Sequence, residues 1–236
     1  MSNPSFKKTI AIITAKGNSR RVVNKCLLSF NGKPLLYYTI VIALKSQHID
    51  EVFVSTESEE IKEVAEAFGA KVPFLRRPEY SGHEVHSNIP LIDMLEKLGD
   101  AAQYDFCVKL LPTSPLRKLR SLNNIVELSK LHQRNILSVT DTGFTLPHLR
   151  TLSAGDILTT LGGDKVYNFQ NQDAPNVFGL VGVAQCAPVA ELLNKKTFQY
   201  GNPMGYVVDK YEAAEIDTME DFSWAEMLAK NLGEWF

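Results

Sequence analysis

The segment that follows the first apolar run of the chain, residues 15–25, holds four basic side chains and no acidic one. The four are Lys16, Arg20, Arg21 and Lys25. Gly17, which lies among them, can adopt a positive φ and let backbone N–H groups converge on an anion. The segment has neither the G-K-[ST] ending of a Walker A loop nor the G-x-G-x-x-G spacing of a dinucleotide fold. We therefore predict a polyphosphate site here, and the alternative is a solvated basic loop.

Two carboxylates near the end of the chain, Glu215 and Asp217, are separated by one apolar residue. In a strand, side chains two residues apart point to the same face, so we expect both to project together at a strand end. Mg²⁺ beside a triphosphate takes one or two carboxylates and fills its other positions with water and phosphate oxygens. The pair therefore predicts a magnesium site. In the alternative, Asp217 or Thr218 caps the last helix and Glu215 is a surface acid.

A third feature is the sequence P-T-S-P at residues 112–115, which predicts a rigid turn. Two prolines fix φ there, and the hydroxyls of Thr113 and Ser114 can form local hydrogen bonds. Arg117 follows closely. Its guanidinium could contact a phosphate or carboxylate, or it could be a helix-capping surface charge, and the sequence leaves both readings open.

Apolar runs alternate with helical patterns along most of the chain. We predict strands at residues 9–14, 51–55, 72–75, 106–111, 136–140, 177–184 and 213–217. The predicted helices run from Pro34 to about 46, from a capping box at Thr56 and Glu59 to Gly69, and over 88–98, 119–133 and 218–232. This alternation is typical of an α/β fold with a doubly wound, mostly parallel sheet. Ligands bind such sheets beyond the carboxyl ends of the strands.

The alternation fails at residues 141–176, which are rich in Gly, Pro, Asn and Thr and have weak periodicity. An irregular insertion of this length usually forms a lid or an oligomer contact. The rest of the chain shows no internal repeat and no linker, so we expect residues 1–236 to form a single domain.

Composition excludes several classes of protein. The 236 residues carry 25 basic and 27 acidic side chains, a formal charge of −2, which gives no general attraction to nucleic acid or to an anionic membrane. No apolar stretch reaches the roughly 20 residues of a membrane span. The three cysteines lie far apart and form no C-x-x-C pair, which favours a reducing compartment over a zinc cluster. We expect a cytoplasmic protein.

Five motifs, in chain order, resemble those of the CMP-acylneuraminate synthetase family, the sialic-acid-type cytidylyltransferases. The first, residues 12–25, resembles I-P-A-R-G-G-S-K-x-x-x-x-K-N: Lys16 stands at its first arginine, and Ser19, Arg20 and Lys25 match its serine, next basic residue and last lysine. The others are F-N-G-K-P-L at 30–35, V-S-T at 54–56, L-P-T-S-P-L-R at 111–117 and E-I-D-T at 215–218. Together they span nearly the whole chain.

The resemblance implies a sheet of the nucleotide-diphospho-sugar transferase type, with residues 141–176 serving homodimerisation. It implies an enzyme that transfers CMP from CTP to a nonulosonic, sialic-acid-like sugar acid and releases pyrophosphate, with Mg²⁺ as cofactor. Two alternatives keep the same fold. One is an enzyme that acts on a different acceptor, and the other is a paralogue that binds CTP without turnover.

The resemblance also implies residue roles. The catalytic residues would be Lys16, Arg20, Lys25 and Asp217, with Asp217 and Glu215 as metal ligands. The nucleotide would be bound by Ala15, Gly17, Asn18, Ser19, Arg77 and Ser87, where Arg77 is preferred to Arg76 because a proline follows it directly. The acceptor would be bound by Thr113, Ser114, Arg117 and Gln172.

The chain also departs from the family pattern, mainly in the acceptor half. Cys26 stands where an asparagine is usual, and Leu111 where a glutamine is usual. The segment G-L-V-G at 179–182 replaces R-x-N-G, so an arginine and an asparagine of the sugar-acid half are missing. Lys16 keeps the charge of the arginine that it replaces but loses its bidentate geometry. These changes favour an acceptor other than N-acetylneuraminate itself.

Overall fold

The computed structural model describes residues 8–17, 19, 21–82, 84–99, 103–153, 158–161 and 174–232. The strands are β1 (Thr9–Thr14), β2 (Ser29–Phe30), β3 (Lys33–Pro34), β4 (Glu51–Ser55), β5 (Phe106–Leu110), β6 (Ile136–Thr145), β7 (Arg150–Leu152), β8 (Leu158–Thr160), β9 (Asn176–Pro188) and β10 (Met204–Val207). The helices are α1 (Leu35–Lys45), α2 (Glu59–Ala67), α3 (Asn88–Lys97), α4 (Leu119–His132), α5 (Val189–Lys195) and α6 (Met219–Leu232).

Six strands form the central sheet in the order β10-β6-β9-β5-β1-β4. β1 pairs in parallel with β4 and β5, and β6 pairs in parallel with β10. β9 runs antiparallel to both of its neighbours, β5 and β6. The predicted α/β fold with a mostly parallel sheet is therefore confirmed, and the carboxyl ends of five strands meet at one edge.

Helices cover both faces of this sheet, as the apolar strands require. Strand β1 is the clearest case, because Thr9 to Ile13 are all buried and pack alternately on the two sides. One face packs against α1, α2 and α4, and the other against α3 and α5. Every side chain of β5 is buried for the same reason.

A third apolar cluster attaches α6 to the start of the chain. The ring of Phe30 makes edge-to-face contacts with Tyr38 and Phe222, at centroid distances of 5.3 and 5.5 Å. Phe30 is held in place by a two-residue hairpin, in which Asn31 and Gly32 both have positive φ as the turn requires. This packing fixes the beginning of α6, and with it the acidic segment that precedes the helix.

Several predicted boundaries are wrong. Residues 72–75 form no strand, since the chain there makes a single parallel bridge between Lys71 and Phe53. Residues 213–217 are also not a strand, because they contact the 112–115 turn rather than a sheet neighbour. α5 and β10 were not predicted, and β6 continues five residues beyond residue 140, pairing with the start of β9. Helix α2 is capped by Ser58, whose Oγ accepts from Ile61 N, and not by a Thr56–Glu59 box.

The described part of residues 141–176 is thus a β arm rather than an irregular loop. β6 and β9 extend together beyond the sheet core, and β7 and β8 form a small antiparallel pair beside them. In the described ranges, no helix combines the length and the apolar character needed to cross a membrane.

Candidate active site

The first loop leaves β1 at the carboxyl edge and is fastened to the loop after β4. Ala15 N donates to Ser55 O at 3.0 Å, and Gly17 N donates to Glu57 Oε1 at 2.8 Å. Gly17 does not adopt the positive φ that the sequence suggested. A Cβ at this position would lie 3.0 Å from Ser58 Cβ, so glycine is needed for close approach rather than for an unusual backbone angle.

The basic residues of the loop reach different partners. Lys16 donates from Nζ to the carbonyl oxygen of Gly82 at 2.9 Å. Ser19 is partly exposed, with its backbone N–H directed to Gly17 O at 3.2 Å. Asn18 and Arg20 lie outside the described residues, so their predicted roles stay predictions.

Lys25 joins the first loop to the acidic segment near the C-terminus. Its buried ammonium donates to Ile216 O at 2.7 Å and lies 3.4 Å from Asp217 Oδ1. The exposed Arg21 contacts the other oxygen of the same carboxylate at 3.2 Å. The sequence-predicted Lys25 and Asp217 are therefore brought together, and the Asp217 carboxylate faces two cations of the first loop.

Glu215 lies at the same edge, although not in a strand. Its carboxylate accepts from Thr113 Oγ1 at 3.2 Å, while the backbone N–H of Ile216 donates to Thr113 O at 2.8 Å. These two bonds dock the acidic segment onto the P-T-S-P turn. Glu215 and Asp217, which flank the buried Ile216 in the sequence, therefore border the same site.

The side chain of Asp217 does not cap α6. Thr218 Oγ1 accepts from Asp221 N at 3.2 Å, and Asp221 Oδ2 accepts from the N–H groups of Thr218 and Asp217. These bonds lower the pKa of Asp221. The predicted cap at Thr218 and Asp221 is confirmed, and it leaves the Asp217 carboxylate to the cations of the first loop.

Three adjoining cavities, together called the edge trough, follow the carboxyl ends of β1, β4 and β5. A cavity of about 730 Å³ is lined by Glu57, Leu75, Arg76, Arg77, Pro78, Ser81 and Gly82. One of about 390 Å³ is lined by Gly17, Ser19, Val23, Asn24, Glu57 and Ser58. One of about 200 Å³ is lined by Thr14, Lys16, Ser19, Lys25, Cys26, Leu111, Pro112 and Thr113. Shared walls at Glu57 and Ser19 make the three cavities neighbours.

Arg76, rather than Arg77, is fixed against the first loop. The Arg76 guanidinium forms a buried ion pair with Glu57 and donates to Ala15 O at 3.0 Å. Burial raises the pKa of Glu57, but the hydrogen bond and the charge of Arg76 outweigh it and hold the pKa below its ordinary value. Arg77 is 51% exposed and faces Glu79 and Asp93, although it also lines the largest cavity.

The P-T-S-P turn contributes unequally to the site. Thr113 lines the trough, whereas Ser114 is buried and its Oγ has no hydrogen-bond partner among the described residues. Arg117 is fully buried, and its guanidinium donates to Thr39 Oγ1 and to the carbonyl oxygens of Leu111, Gly182 and Val183. Arg117 therefore ties α1, β5 and β9 together. Neither of the two readings left open by the sequence, ligand contact or surface helix cap, fits this position.

Two further predicted contacts have different outcomes. Ser87 directly precedes α3, is partly exposed, and makes no side-chain capping bond to the helix. Ser87 lies on the face of the sheet that α3 covers. In sequence it follows shortly after Gly82, whose carbonyl oxygen accepts from Lys16. Gln172 lies outside the described residues.

Cys26 is a buried thiol at the floor of the trough. Its Sγ lies 3.7 Å from Lys16 O, and burial raises its pKa to about 11. All three cysteines are free and buried. A thiol with so high a pKa carries almost no thiolate at neutral pH, so Cys26 is a packing residue and not a nucleophile.

Sequence reasoning missed Glu57, Arg76 and Lys109. Glu57 follows the end of β4, which is the position where an α/β sheet places ligand-binding side chains. Lys109 is a lone charged residue within the apolar strand F-C-V-K-L, and such a residue signals a buried polar contact. For Arg76, the choice between two adjacent arginines depended on which of them pointed inward, and the sequence carries no such signal.

Comparison with known proteins gives a consistent relationship. The family model described as cytidylyltransferase matches residues 10–138. The CMP-N,N'-diacetyllegionaminic acid synthase of Legionella pneumophila is 28% identical, over 94% of this chain and 96% of that protein. The pseudaminic acid cytidylyltransferase of Campylobacter jejuni is 30% identical, over 94% of this chain and 97% of that protein. The N-acylneuraminate cytidylyltransferase of Escherichia coli is 32% identical, over 92% of this chain and 51% of that protein.

Solved structures share the fold at lower sequence identity. A CMP:2-keto-3-deoxy-manno-octonic acid synthetase in complex with CTP superposes with a TM-score of 0.73 at 16% identity, covering 96% of this chain and all of that one. A 4-diphosphocytidyl-2C-methyl-D-erythritol synthase gives a TM-score of 0.70 at 15% identity, with 94% and 98% coverage.

Proposed function

Because the chain belongs to the cytidylyltransferase family, we propose that it transfers CMP from CTP to a nonulosonic, sialic-acid-like sugar acid and releases pyrophosphate. The observation that carries this proposal is the contact of Lys25 with Asp217. This contact supports the proposal because it joins a cation of the first loop to an acidic side chain at one end of the edge trough. Relatives that match this chain over nearly their full length include a pseudaminic acid cytidylyltransferase and a CMP-N,N'-diacetyllegionaminic acid synthase, and these suggest an acceptor of that class.

The reaction joins two anions, so the protein must offset their repulsion. The anomeric hydroxyl oxygen of the sugar attacks the α-phosphorus of CTP and its proton passes to solvent. The bond from the α-phosphorus to the oxygen that bridges it to the β-phosphate breaks, and pyrophosphate leaves with that electron pair. Lys16, Arg20 and Lys25 hold the triphosphate and balance the charge that develops on the leaving group. Chemistry of this kind depends mainly on positioning and electrostatic stabilisation.

Asp217 and Glu215 fit the role of Mg²⁺ ligands. Within the described ranges, no group of three or more His, Cys, Asp or Glu side chains could hold a metal unaided. Two carboxylates bordering a phosphate site match the preference of Mg²⁺ for one or two carboxylates completed by substrate phosphates and water. When bound, Mg²⁺ would supply charge neutralisation at the phosphates. The exposed Asp217 is the principal ligand in this proposal, and Glu215 the second.

An exposed apolar row next to the β arm supports a homodimer. Val207 of β10 is the register partner of Val139, which is in turn the partner of Leu180 in β9, so these side chains form an apolar row across three strands. Leu180 and Val207 are 50% and 57% exposed in the single chain. A partner subunit that covers this row would bury it and border the acceptor side of the trough. The buried thiols and the use of CTP fit a cytoplasmic enzyme.

Pyrophosphate release tests the function directly. The purified protein is mixed with CTP, Mg²⁺ and each member of a panel of nonulosonic acids, with acceptor-free and ATP, GTP and UTP reactions as controls. We expect acceptor-dependent release with CTP, and stronger thermal stabilisation by CTP than by the other nucleotides. CTP binding without release for any acceptor would indicate a non-catalytic paralogue, and equal stabilisation by all four nucleotides would contradict CTP selectivity.

A further inference from the structure

A lysine is buried in the sheet directly below the edge trough. Lys109 lies in β5, between Ile12 of β1 and Gln185 of β9, and is 5% exposed. Side chains alternate along a strand, so Lys109 shares its face with Leu111, which lines the cavity beside Lys25. The lysine therefore lies two residues before Leu111 on the same face of the sheet, close to the point where the first loop and the P-T-S-P turn line one cavity.

The ammonium group of Lys109 has an amide, and not a carboxylate, as its partner. Its Nζ donates to Asn88 Oδ1 at 2.8 Å, and none of the ion pairs among the described residues involves Lys109. The other buried cations are better satisfied, because Lys25 contacts Asp217 and Arg76 contacts Glu57. Arg117 also has no carboxylate partner, but it donates to four oxygen atoms of the chain. An ammonium can donate three hydrogen bonds, and Asn88 accepts one.

A buried charge with a neutral partner is costly for the fold. Burial lowers the pKa of Lys109 to about 8, with Cys107 and then Glu215 acting in the opposite direction. The charge also reaches the neighbouring loop, since it lowers the pKa of His86 in addition to the effect of burial. An apolar residue of similar length would fill the same space without desolvating a cation. A buried ammonium with a single neutral acceptor among the described residues therefore points to an anion that is not part of the chain.

Resting on the proposed function, we infer that Lys109 binds the carboxylate of the acceptor sugar acid and determines specificity for acidic acceptors. A nonulosonic acid carries its carboxylate on the carbon next to the anomeric carbon, so this group must lie close to the attacking hydroxyl. A Cβ at Gly182 would lie 3.0 Å from Glu215 Oε1 and 3.1 Å from Leu111 Cδ1, so Leu111, the next residue on the face of Lys109, lies beside the proposed reaction centre. In β9, the strand next to β5, residues 179–182 are G-L-V-G and include no cationic side chain.

Asn88 provides a way to separate ligand binding from structural support. It is the first residue of α3 and is buried against Lys109. In Asn88→Asp a carboxylate replaces the amide oxygen and pairs the ammonium within the protein. A negative charge in the first turn of a helix is itself favourable. This variant should therefore fold at least as well as the wild type, while the internal carboxylate competes with that of the acceptor.

The test compares wild type, Lys109→Met and Asn88→Asp with two acceptors: the nonulosonic acid that wild type uses best, and its C1 primary amide. We expect Lys109→Met to raise the KM for the acid by about 30-fold, the size of a lost charge-assisted hydrogen bond, and the KM for CTP by less than about twofold. The amide should be a poor acceptor for wild type and no poorer for Lys109→Met. Asn88→Asp should raise the KM for the acid without lowering the melting temperature.

Three results would overturn the inference. They are an unchanged KM for the acid in a folded Lys109→Met, equal losses for the acid and its amide, or an unchanged KM for the acid in Asn88→Asp. The last variant keeps the inference testable if Lys109→Met does not fold. Failure of the proposed function would look different, because wild type would then release no pyrophosphate with any sugar acid. In that case, calorimetric binding of the acid to wild type and Asn88→Asp in the presence of CTP still tests Lys109.

Discussion

The ammonium nitrogen of Lys25 lies 3.4 Å from Oδ1 of Asp217, although 192 residues separate the two along the chain. The same ammonium donates to the carbonyl oxygen of Ile216, so the contact is held by backbone as well as by charge. The fold thus joins the loop that follows β1 to the segment that precedes α6, at the carboxyl edge of the sheet.

The ion pair between Glu57 and Arg76 should make stability depend on acid pH. The pKa of Glu57 is lowered in the folded state, so its contribution is complete above the ordinary value of 4.5 and is lost as pH falls through the folded pKa. We expect Glu57→Gln to lower the free energy of unfolding at pH 7 by about 2 kcal/mol, because Arg76 then stays buried without a counter-ion. The deficit should shrink below pH 4.5, as measured by urea unfolding across pH.

Glu59→Gln is the matched control for that measurement. Glu59 lies two residues further on, and its carboxylate is exposed and pairs with Lys62 at 3.5 Å. Exposed pairs of this kind contribute at most about 1 kcal/mol, so its loss should be small at both pH values. A deficit for Glu57→Gln that persists unchanged at acid pH would show that the carboxylate charge is not what stabilises the loop.

Two glycines of β9 provide a second test, this time of the acceptor side. A Cβ at Gly182 would lie 2.7 Å from Ser114 Oγ and 3.0 Å from Glu215 Oε1, so both groups must move. At Gly179 a Cβ would make an ordinary contact of 3.6 Å with Thr142, and neither glycine has a positive φ. We expect Gly182→Ala to lower kcat/KM for the acceptor by about tenfold or more, since small displacements of positioning groups are costly.

Gly179→Ala, on the same strand, should stay close to wild-type activity in the same assay. The KM for CTP should change little in both variants, because the atoms nearest to a Cβ at Gly182 belong to Ser114, Glu215 and Leu111 and not to the first loop. Equal activity of the two alanine variants would show that Glu215 and Ser114 are not required in their present positions.

The exposed apolar row of Leu180 and Val207, which lies in the central sheet next to the β arm, should mediate dimerisation. We expect Leu180→Glu and Val207→Glu to convert a dimer of about 53 kDa, twice the 26.4 kDa of the chain, to a monomer in light scattering. Leu131→Glu is the control, because Leu131 is also apolar and, at 71%, even more exposed, but it lies on α4. A wild-type protein that is monomeric at micromolar concentrations would contradict the dimer itself.

The parts of the molecule that sequence predicted correctly are those with strong local signals. β1, β4 and β5 are apolar runs, and Gly69 and Gly99 end their helices with positive φ. β10 was missed because M-G-Y-V has weak strand character and pairs as an edge. The segment at 213–217 has a strand-like pattern, but its alternation reflects docking on the P-T-S-P turn rather than sheet pairing.

The residues of the candidate site were likewise predicted where they carry a strong local sequence signal. Lys25 and Asp217 were predicted because each belongs to a motif with its own local signature. Glu57, Arg76 and Lys109 were missed because their importance comes from partners far away in sequence, such as the Gly17 backbone and Asn88. Arg117 was misassigned for the same reason, since only the fold shows that backbone carbonyls surround it.

The final prediction concerns Asp217, the acidic side chain at the junction. Asp217→Asn keeps the size and shape of the side chain but removes the charge that faces Lys25 and Arg21. We expect turnover with saturating CTP, acceptor and Mg²⁺ to fall about a thousandfold, which corresponds to about 4 kcal/mol at 1.36 kcal/mol per decade. Glu215→Gln should cost less, because its carboxylate is already engaged by Thr113. The fold should persist, since the ion pairs of Asp217 are solvent-exposed on the carboxylate side.

Asp221→Asn is the control that separates chemistry from helix capping. Asp221 lies four residues further on and accepts the backbone N–H groups of Asp217 and Thr218, so its substitution should lower stability by about 1 kcal/mol with a modest effect on turnover. Asp217→Asn should show the reverse pattern, near-native stability with little activity. If Asp217→Asn keeps more than about a tenth of wild-type turnover, a loss of less than about 1.4 kcal/mol, then Asp217 is not the principal metal ligand. Its role would then be to orient Lys25 and Arg21.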